Sequence, residues 1–526
     1  MNGPRNLVLA VMFVIFAAGL SAANDIYFAP TSTGSNNGTS CANAYAYNDG
    51  THGWSLSAQQ VAGNNLHICS GTYTASANGT LMTFVNSGSS GSPITLIADQ
   101  GAATFTSPYF NTAVGAITNT GTLSYVVVNG DGNLTIQNTA NGTSLANHQQ
   151  SYGVWLINCT YCTVENTTVQ NIYANNGSSS GATDIAGAGT AGIQFNGAGT
   201  GALVTGNTIS AASAGVVFSP DGGSPPDASN ITISDNTISN IHWGLAVAGG
   251  DSTDTMTGII ISGNDISNWT NWYYPASAYH QDGMILYNVG NPSAGIVATI
   301  SDNYVHGDFG DGGSPTGEIY CADFSSCTIF NNLLVNSGST RTSYQAALMW
   351  LGQSGNWGKN MLVYNNTMIA DQYEDCIMLT ISGKATIENN ICLNGGNEFD
   401  TYQTTLAAFE ATITSSNHNV WYNESYAVAS QATGFFTTYA TWQGAGYDAN
   451  SSTVNPSLTG SYLIPNTSSS AYQIGANLIS LDITALDSDK AGNPRPGSGA
   501  WAAGAYQLAS SGSSPAAPTG LIASVQ

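Results

Sequence analysis

Apolar and polar positions alternate along this chain in a phrase that returns many times: apolar, any, Asn or Asp, Asn, any, apolar. Copies lie at Val164–Val169, Ile233–Ile238, Ile261–Ile266, Ile300–Val305, Ile329–Leu334, Val363–Met368 and Ile387–Cys392, with a looser one at Val204–Ile209. The second polar slot holds Thr167, Asn207, Asn236, Asn264, Asn303, Asn332, Asn366 and Asn390, returning every 24 to 40 residues. Each phrase is short, rich in β-branched residues and bounded by Gly, Asn and Ser, so it predicts a strand. A second phrase interleaves with it, a small residue followed by an apolar run: Gly153–Leu156, Gly192–Phe195, Gly215–Phe218, Gly244–Val247, Gly283–Leu286, Gly317–Tyr320, Ala347–Trp350 and Cys376–Leu379.

Self-similarity at this period means stacked units. Two short strands and a turn-rich remainder per unit is the repeat of a parallel β-helix. Stacking places equivalent side chains about 4.8 Å apart. The Asn of one coil then bonds to the Asn above and below, so the Asn slot predicts a structural ladder inside the solenoid. From Asp25 to about Gly132 the pattern loosens into strands at Ile26–Phe28, Leu66–Ile68, Ile94–Ile97 and Tyr125–Val128. This predicts the atypical capping unit that a solenoid needs at its end. The organisation expected is a leader over 1–23, cap and first coils over 24–132, and repeats over 133–420. Closing coils over 421–509 and a Ser/Pro-rich tail over 510–526 complete it.

The leader expectation rests on Arg5, the apolar run Leu7–Leu20 and the small residues Ser21-Ala-Ala23, the pattern of a secretory signal peptide. No later run is apolar enough to span a bilayer, so a secreted, soluble and monomeric protein is expected. Eight cysteines fit export and disulfide formation. Cys41 and Cys69 would tie the N-terminal segment, Cys159 and Cys162 share one turn, and Cys321/Cys327 and Cys376/Cys392 fall within or beside successive coils. Charged residues make up only 7% of the chain and the net charge is −24. Beyond the leader the basic residues are Arg341, Lys359, Lys384, Lys490 and Arg495. Nucleic acid and anionic membrane both need clustered Lys and Arg, so both are excluded as partners.

Two ends of the chain carry a resemblance. Asp25-Ile-Tyr-Phe-Ala-Pro30, Gly34-Ser-Asn-Asn-Gly-Thr39, Cys69-Ser-Gly-Thr-Tyr-Thr74 and Gly91-Ser-Pro-Ile-Thr-Leu96 resemble the opening of secreted bacterial right-handed parallel β-helix proteins, the pectate-lyase-like superfamily. Trp442, Gly446-Tyr-Asp448, Asn455-Pro456, Gly492-Asn-Pro-Arg-Pro496 and Gly504-Ala-Tyr506 are similar to its closing segment, with Ala503 where an acid often stands. The resemblance implies an all-β, right-handed parallel β-helix solenoid with an N-terminal cap. It also implies a chemistry drawn from polysaccharide lyases, glycoside hydrolases, epimerases, esterases or adhesive surface proteins. Pro518-Thr-Gly-Leu521 resembles the first strand of a fibronectin type III module, too little to fold alone.

Candidate chemistry gathers in the coils spanning residues 264–350, where one unit is longer than its neighbours. Its excess, Trp269 to Tyr279, contains Trp269, Trp272, Tyr273 and Tyr274, whose faces suit sugar rings. It runs into His280-Gln-Asp282, a spacing repeated at His306-Gly-Asp308. Asp282 is the leading catalytic candidate, because its slot elsewhere reads Tyr152, Ala191, Ala214, Trp243, Thr316 and Ala346, and only Asp375 repeats an acid. Glu318 falls in a slot otherwise held by Val154, Ile193, Val216, Leu245, Met284, Leu348 and Ile377. One coil and two positions apart, Asp282 and Glu318 are expected at ~8 Å, the spacing of an inverting glycosidase. Asp308, Asp311 and Asp323 offer oxygen ligands for Ca²⁺, and Arg341 offers either an ion pair to Asp311 or a grip on a substrate carboxylate. No cofactor is required. The function expected is glycosidic-bond hydrolysis by paired carboxylates. A carbohydrate-binding or adhesive surface protein is the first alternative, and a Ca²⁺-dependent polysaccharide lyase the second.

Overall fold

A computed structural model describes residues 24–110, 115–139, 151–172, 190–219, 228–249, 256–269, 281–287, 289, 295, 297–308, 317–322, 325–337, 346–352, 360–371, 374–464 and 466–508. The proposed leader and tail lie outside these residues. The chain winds as a right-handed parallel β-helix, and among the described residues every strand pairing but the last is parallel.

Each coil carries three strands rather than two. The Asn phrase is not one strand but a corner between two, as in Thr232–Ser234 and Thr237–Ala248. The reason is backbone geometry. The first polar residue is left-handed, with φ of +52° at Asn166, +56° at Asp235, +59° at Asp302 and +56° at Asn331. Asn, Asp and Gly tolerate this conformation far better than the β-branched residues on either side. The flanking apolar side chains then point into one continuous core, with Val164, Val204, Ile233, Ile261, Ile300 and Ile329 all fully buried.

The second polar residue turns inward and forms the ladder. Nδ2 of Asn207, Asn236, Asn264 and Asn303 donates to Oδ1 of the Asn one coil on at 2.9 Å in each case. Asn332 and Asn366 continue at 3.0 Å and Asn390 reaches Asn419 at 3.2 Å. Each amide also satisfies backbone groups of the corner, so the buried turns carry few orphaned donors. The ladder ends where Asn419 donates to Asp448, 3.0 Å away, which also accepts from Ser416, Ser451 and the Trp442 indole.

The two ends are closed differently. At the start, residues 41–60 fold over the first coil, where Trp54 packs on Phe28 and Tyr73, and Cys41 is joined to Cys69. His67 lies between Asp25 and Asp99, 3.2 and 2.8 Å away, and ties three successive strands. At the far end the chain turns back along the corner. The Asn331 and Asn389 side chains donate to the carbonyls of Ser488 and Ala476, and the buried Arg495 guanidinium donates to Asn331 Oδ1 and the Ser488 carbonyl. The other three disulfides pair Cys159 with Cys162, Cys321 with Cys327 and Cys376 with Cys392.

Acids sit inside the last coils. Glu398 is buried, and desolvation, then the charges of Asp448 and Glu424, push its carboxyl well above the ordinary range. Burial lifts Glu424 to about 8. A carboxyl whose folded pKa is raised favours folding fully below its unfolded value, about 4.3. That contribution is lost as pH rises towards the folded value. The melting temperature is therefore expected to fall between about pH 5 and pH 8, and Glu398→Gln should flatten the fall. Thermal melts across that window check this, and a melting temperature rising with pH would contradict it.

Candidate functional site

One sheet of the solenoid has its outward face lined by aromatic and acidic side chains. Its strands are β1 (Tyr152–Ile157), β2 (Ala191–Asn196), β3 (Thr208–Ser219), β4 (Thr237–Ala248), β5 (Asp282–Tyr287), β6 (Gly317–Ala322), β7 (Ala346–Gly352), β8 (Glu374–Thr380), β9 (Asn397–Thr401), β10 (Tyr426–Ser430) and the short β11 (Phe436–Thr437). Alternation sends Met284, Ile319, Met349, Ile377 and Phe399 inward, all fully buried. Two columns run along the solenoid axis outside this row: one directly after it, by alternation, and one two positions before it, where Tyr152, Ala191 and Ala214 pack with Trp155, Val217 and Trp243 apart from the core. One column runs Trp243, Asp282, Gly317, Ala347, Asp375. The next runs Ile285, Tyr320, Trp350, Met378, Asp400, Ala429.

Asp282 thus takes its expected place above Tyr152, Ala191, Ala214 and Trp243. It is buried, and its Oδ1 accepts the Gly317 N–H at 3.3 Å. Glu318 does not take its expected place. Ile319, not Glu318, stands opposite Met284, and Gly317 stands opposite Asp282. The physical reason lies in the glycine column. A Cβ on Gly244 would lie 2.3 Å from the Gly283 carbonyl oxygen and 2.7 Å from Ile266 Cγ2, so a side chain there would have to displace that carbonyl. In the Gly317 coil the same place falls to Glu318, since a Cβ on Gly283 would lie 2.4 Å from the Glu318 carbonyl oxygen. Asp282 and Glu318 are therefore one register position apart, not two, and the inverting-glycosidase spacing expected of them is not what the register gives.

Trp269 is no loop platform. It ends the strand Asp265–Trp269, is 6% exposed, and donates its indole N–H to the Asp282 carbonyl at 3.1 Å. His306 lies on another sheet, in the strand Tyr304–Gly307. It contacts Asp265 at 2.8 Å and stacks on Tyr304 at 3.8 Å, so it is not brought to Asp282. Asp308 follows that strand and accepts the Trp269 backbone N–H through its carbonyl. Trp272, Tyr273, Tyr274, His280, Asp311, Asp323 and Arg341 lie outside the described residues. Cys376, Cys392 and Glu424 converge, but the two sulfurs are joined to each other and offer no thiolate to a metal.

The columns bring together a pair that the sequence did not reveal. Asp375 and Asp400 are hydrogen-bonded to each other on β8 and β9. Burial, then the neighbouring Asp400 charge, lifts the Asp375 carboxyl well above the carboxylate range. Asp400 is also raised by burial, but hydrogen bonds from Gln431, Asp375 and the Thr401 N–H oppose the rise. Two like charges this close do not both ionise, so the pair shares one proton. Asp400, which accepts from the Gln431 amide and the Thr401 N–H, is the better holder of the charge. Asn397 donates to Asp375 Oδ1 at 2.8 Å and fixes its rotamer. Tyr320 and Trp350 pack together below the pair, with ring centroids 5.5 Å apart, and Tyr402, 37% exposed, lies beside Trp350 at 6.5 Å. The arrangement offers a proton donor and a carboxylate beside aromatic faces.

No protein-family model matches this chain, and no curated protein matches its sequence. Among solved structures, the complex of XylC with xylose is 10% identical over 92% of this chain and 98% of its own, with a TM-score of 0.46. The periplasmic alginate epimerase AlgG is 11% identical over 71% and 75%, with a TM-score of 0.41. Pectate lyase Pel9A is 15% identical over 93% and 97%, with a TM-score of 0.37. Similarity this loose says nothing of chemistry.

Proposed function

We propose that this protein hydrolyses glycosidic bonds of a neutral polysaccharide bound along the outward face of β5 to β10. The observation that carries the reading is the Asp375–Asp400 pair, a protonated carboxyl beside a charged one, set between aromatic side chains. Protonation of the leaving oxygen is the step a glycoside needs from a protein acid, and a carboxyl with a raised pKa keeps its proton at the pH where it works. Asp375 is the acid in this reading. Asp375 gives its proton to the leaving oxygen as the glycosidic C–O bond breaks, and Asp400 steadies the positive charge that develops on the sugar. Water then adds to the anomeric carbon, with its proton returning to the carboxylate pair. Asp282, three coils below in the same column, is buried on the Gly317 N–H and holds the strand rather than the sugar.

The charges favour hydrolysis over elimination. An eliminating enzyme must neutralise a uronate carboxylate and a developing enolate. Of the basic residues in the described chain, Lys490 contacts the Asp302 carbonyl, Arg495 is buried in the closing segment, and Lys384 donates to the Ala411 carbonyl. None of these three serves the acidic face. The four disulfides suit an oxidising compartment, in keeping with export.

The test incubates the protein with neutral and uronate polysaccharides, with and without Ca²⁺. Reducing ends report both reactions, and ultraviolet absorbance of unsaturated uronates reports elimination alone. Reducing ends from a neutral polymer, without absorbance and without need of Ca²⁺, are expected. Absorbance that appears only with Ca²⁺ would overturn hydrolysis in favour of a lyase. An inert panel with retained glycan binding would leave a carbohydrate-binding protein.

A further inference from the structure

The outward columns do not stop at the acid pair. Phe436 on β11 stands opposite Ala429, which stands opposite Asp400, so Phe436 continues the column of Trp350 and Asp400. Trp350 lies two strands before Asp400 and Phe436 two strands after it. At about 4.8 Å per strand, each is about 10 Å from the acid along the axis. Tyr426 stands opposite Asn397, the residue that holds Asp375, and its ring meets that of Phe436 at 4.7 Å.

This second aromatic pair has no packing duty that explains it. Phe436 is 59% exposed and Tyr426 38%, while the neighbouring Thr437 is buried and faces the core with Val428. β11 is the one antiparallel strand of the sheet among the described residues, returned by a short turn in which Ser430 N–H bonds to the Phe435 carbonyl. That turn sets Phe436 on the outward face. An exposed aromatic face in line with Trp350 and Asp400 suits the apolar face of a sugar ring.

We propose that Tyr426 and Phe436 form a second glycan-stacking platform, so that polysaccharide is held on both sides of the acid pair, between Trp350 and Phe436. This rests on the reading that the outward face binds glycan. It adds that the ligand is an internal stretch of a long neutral chain rather than a chain end. Polyuronates are disfavoured by Asp375 and Asp400 in the middle of the lane and by a net charge of −24.

The experiment is affinity electrophoresis of the full chain through native gels containing soluble dextran, galactomannan or mixed-linkage glucan, with Phe436→Ala, Phe436→Leu, Phe436→Trp and Tyr426→Ala alongside. Circular dichroism checks their fold. The wild type should be retarded by at least one of these glycans. Phe436→Ala should bind it about tenfold more weakly, the effect of losing one large apolar contact. Phe436→Leu, apolar but without a flat face, should weaken it similarly, and Phe436→Trp should restore retardation. Phe436→Ala and Tyr426→Ala variants that migrate like the wild type in a gel that retards it would overturn the platform and leave the acid site standing. A wild type that no glycan retards would overturn both.

Discussion

Asn303→Ala is expected to cost the protein most of its stability. The Asn303 side chain makes four buried hydrogen bonds: Nδ2 to the Ile261 carbonyl and Asn332 Oδ1, and Oδ1 from the backbone and side-chain N–H of Asn264. Alanine makes none of them, and no water reaches a fully buried corner to replace them. Each buried polar group left without a partner costs about 1–3 kcal/mol. The sum is on the order of 5 kcal/mol, the size of a whole domain's margin. Because solenoid coils are stabilised by their neighbours, a fault in the middle also uncouples the two halves. Denaturant melts should show a large fall in midpoint. Thr237→Ala, exposed on the same sheet as the corner, should shift it within about 0.5 kcal/mol. Equal midpoints for the two variants would contradict the ladder's structural role.

Asp375→Asn should abolish turnover while leaving the fold and glycan retention intact. The amide keeps the shape and the Asn397 contact but carries no acidic proton, and loss of a general acid costs about 10²- to 10⁴-fold. Asp282→Asn should leave turnover and retention in place, because Asp282 is buried and three strands, about 14 Å, separate it from Asp375. Rates measured on whichever neutral glycan the wild type cleaves, with retardation in the same glycan, separate turnover from retention. An Asp375→Asn variant that keeps half the wild-type rate would move the chemistry elsewhere on the face.

The solenoid was legible because one residue type marks one place in every coil. Asn207 to Asn390 repeat the same side chain in the same slot, because each buried amide there bonds to the amides of the neighbouring coils. The corner reads as a strand in the sequence, since the left-handed turn at Asp235 or Asn331 occupies a single residue within an apolar, β-branched setting. On the outward face nothing demands a residue type, so register had to be borrowed from the glycines. That worked through Gly244 and Gly283 and slipped at Gly317, where the glycine stands one position early. Asp375 showed as a repeated acid. Asp400 did not, because the place that Gly244 and Gly283 hold in earlier coils is filled by Glu398 in β9, with no small residue to mark the start of the strand. Counting from Asn390 to Asn419, the ladder residue that went unnoticed, would have exposed it. The contact between the two acids is set by coil stacking, which spacing along the chain does not encode.

The central claim is that Asp375 is an acid kept protonated by burial and by the charge of Asp400. The pH dependence of kcat/KM for the wild type and Asp400→Asn tests it directly. Loss of activity on the alkaline side reports deprotonation of the essential acid in the free enzyme. Removing the Asp400 charge takes away a cause that raises the Asp375 pKa, so the alkaline limb of Asp400→Asn should move to lower pH. A limb that stays in place, or moves to higher pH, would contradict the assignment.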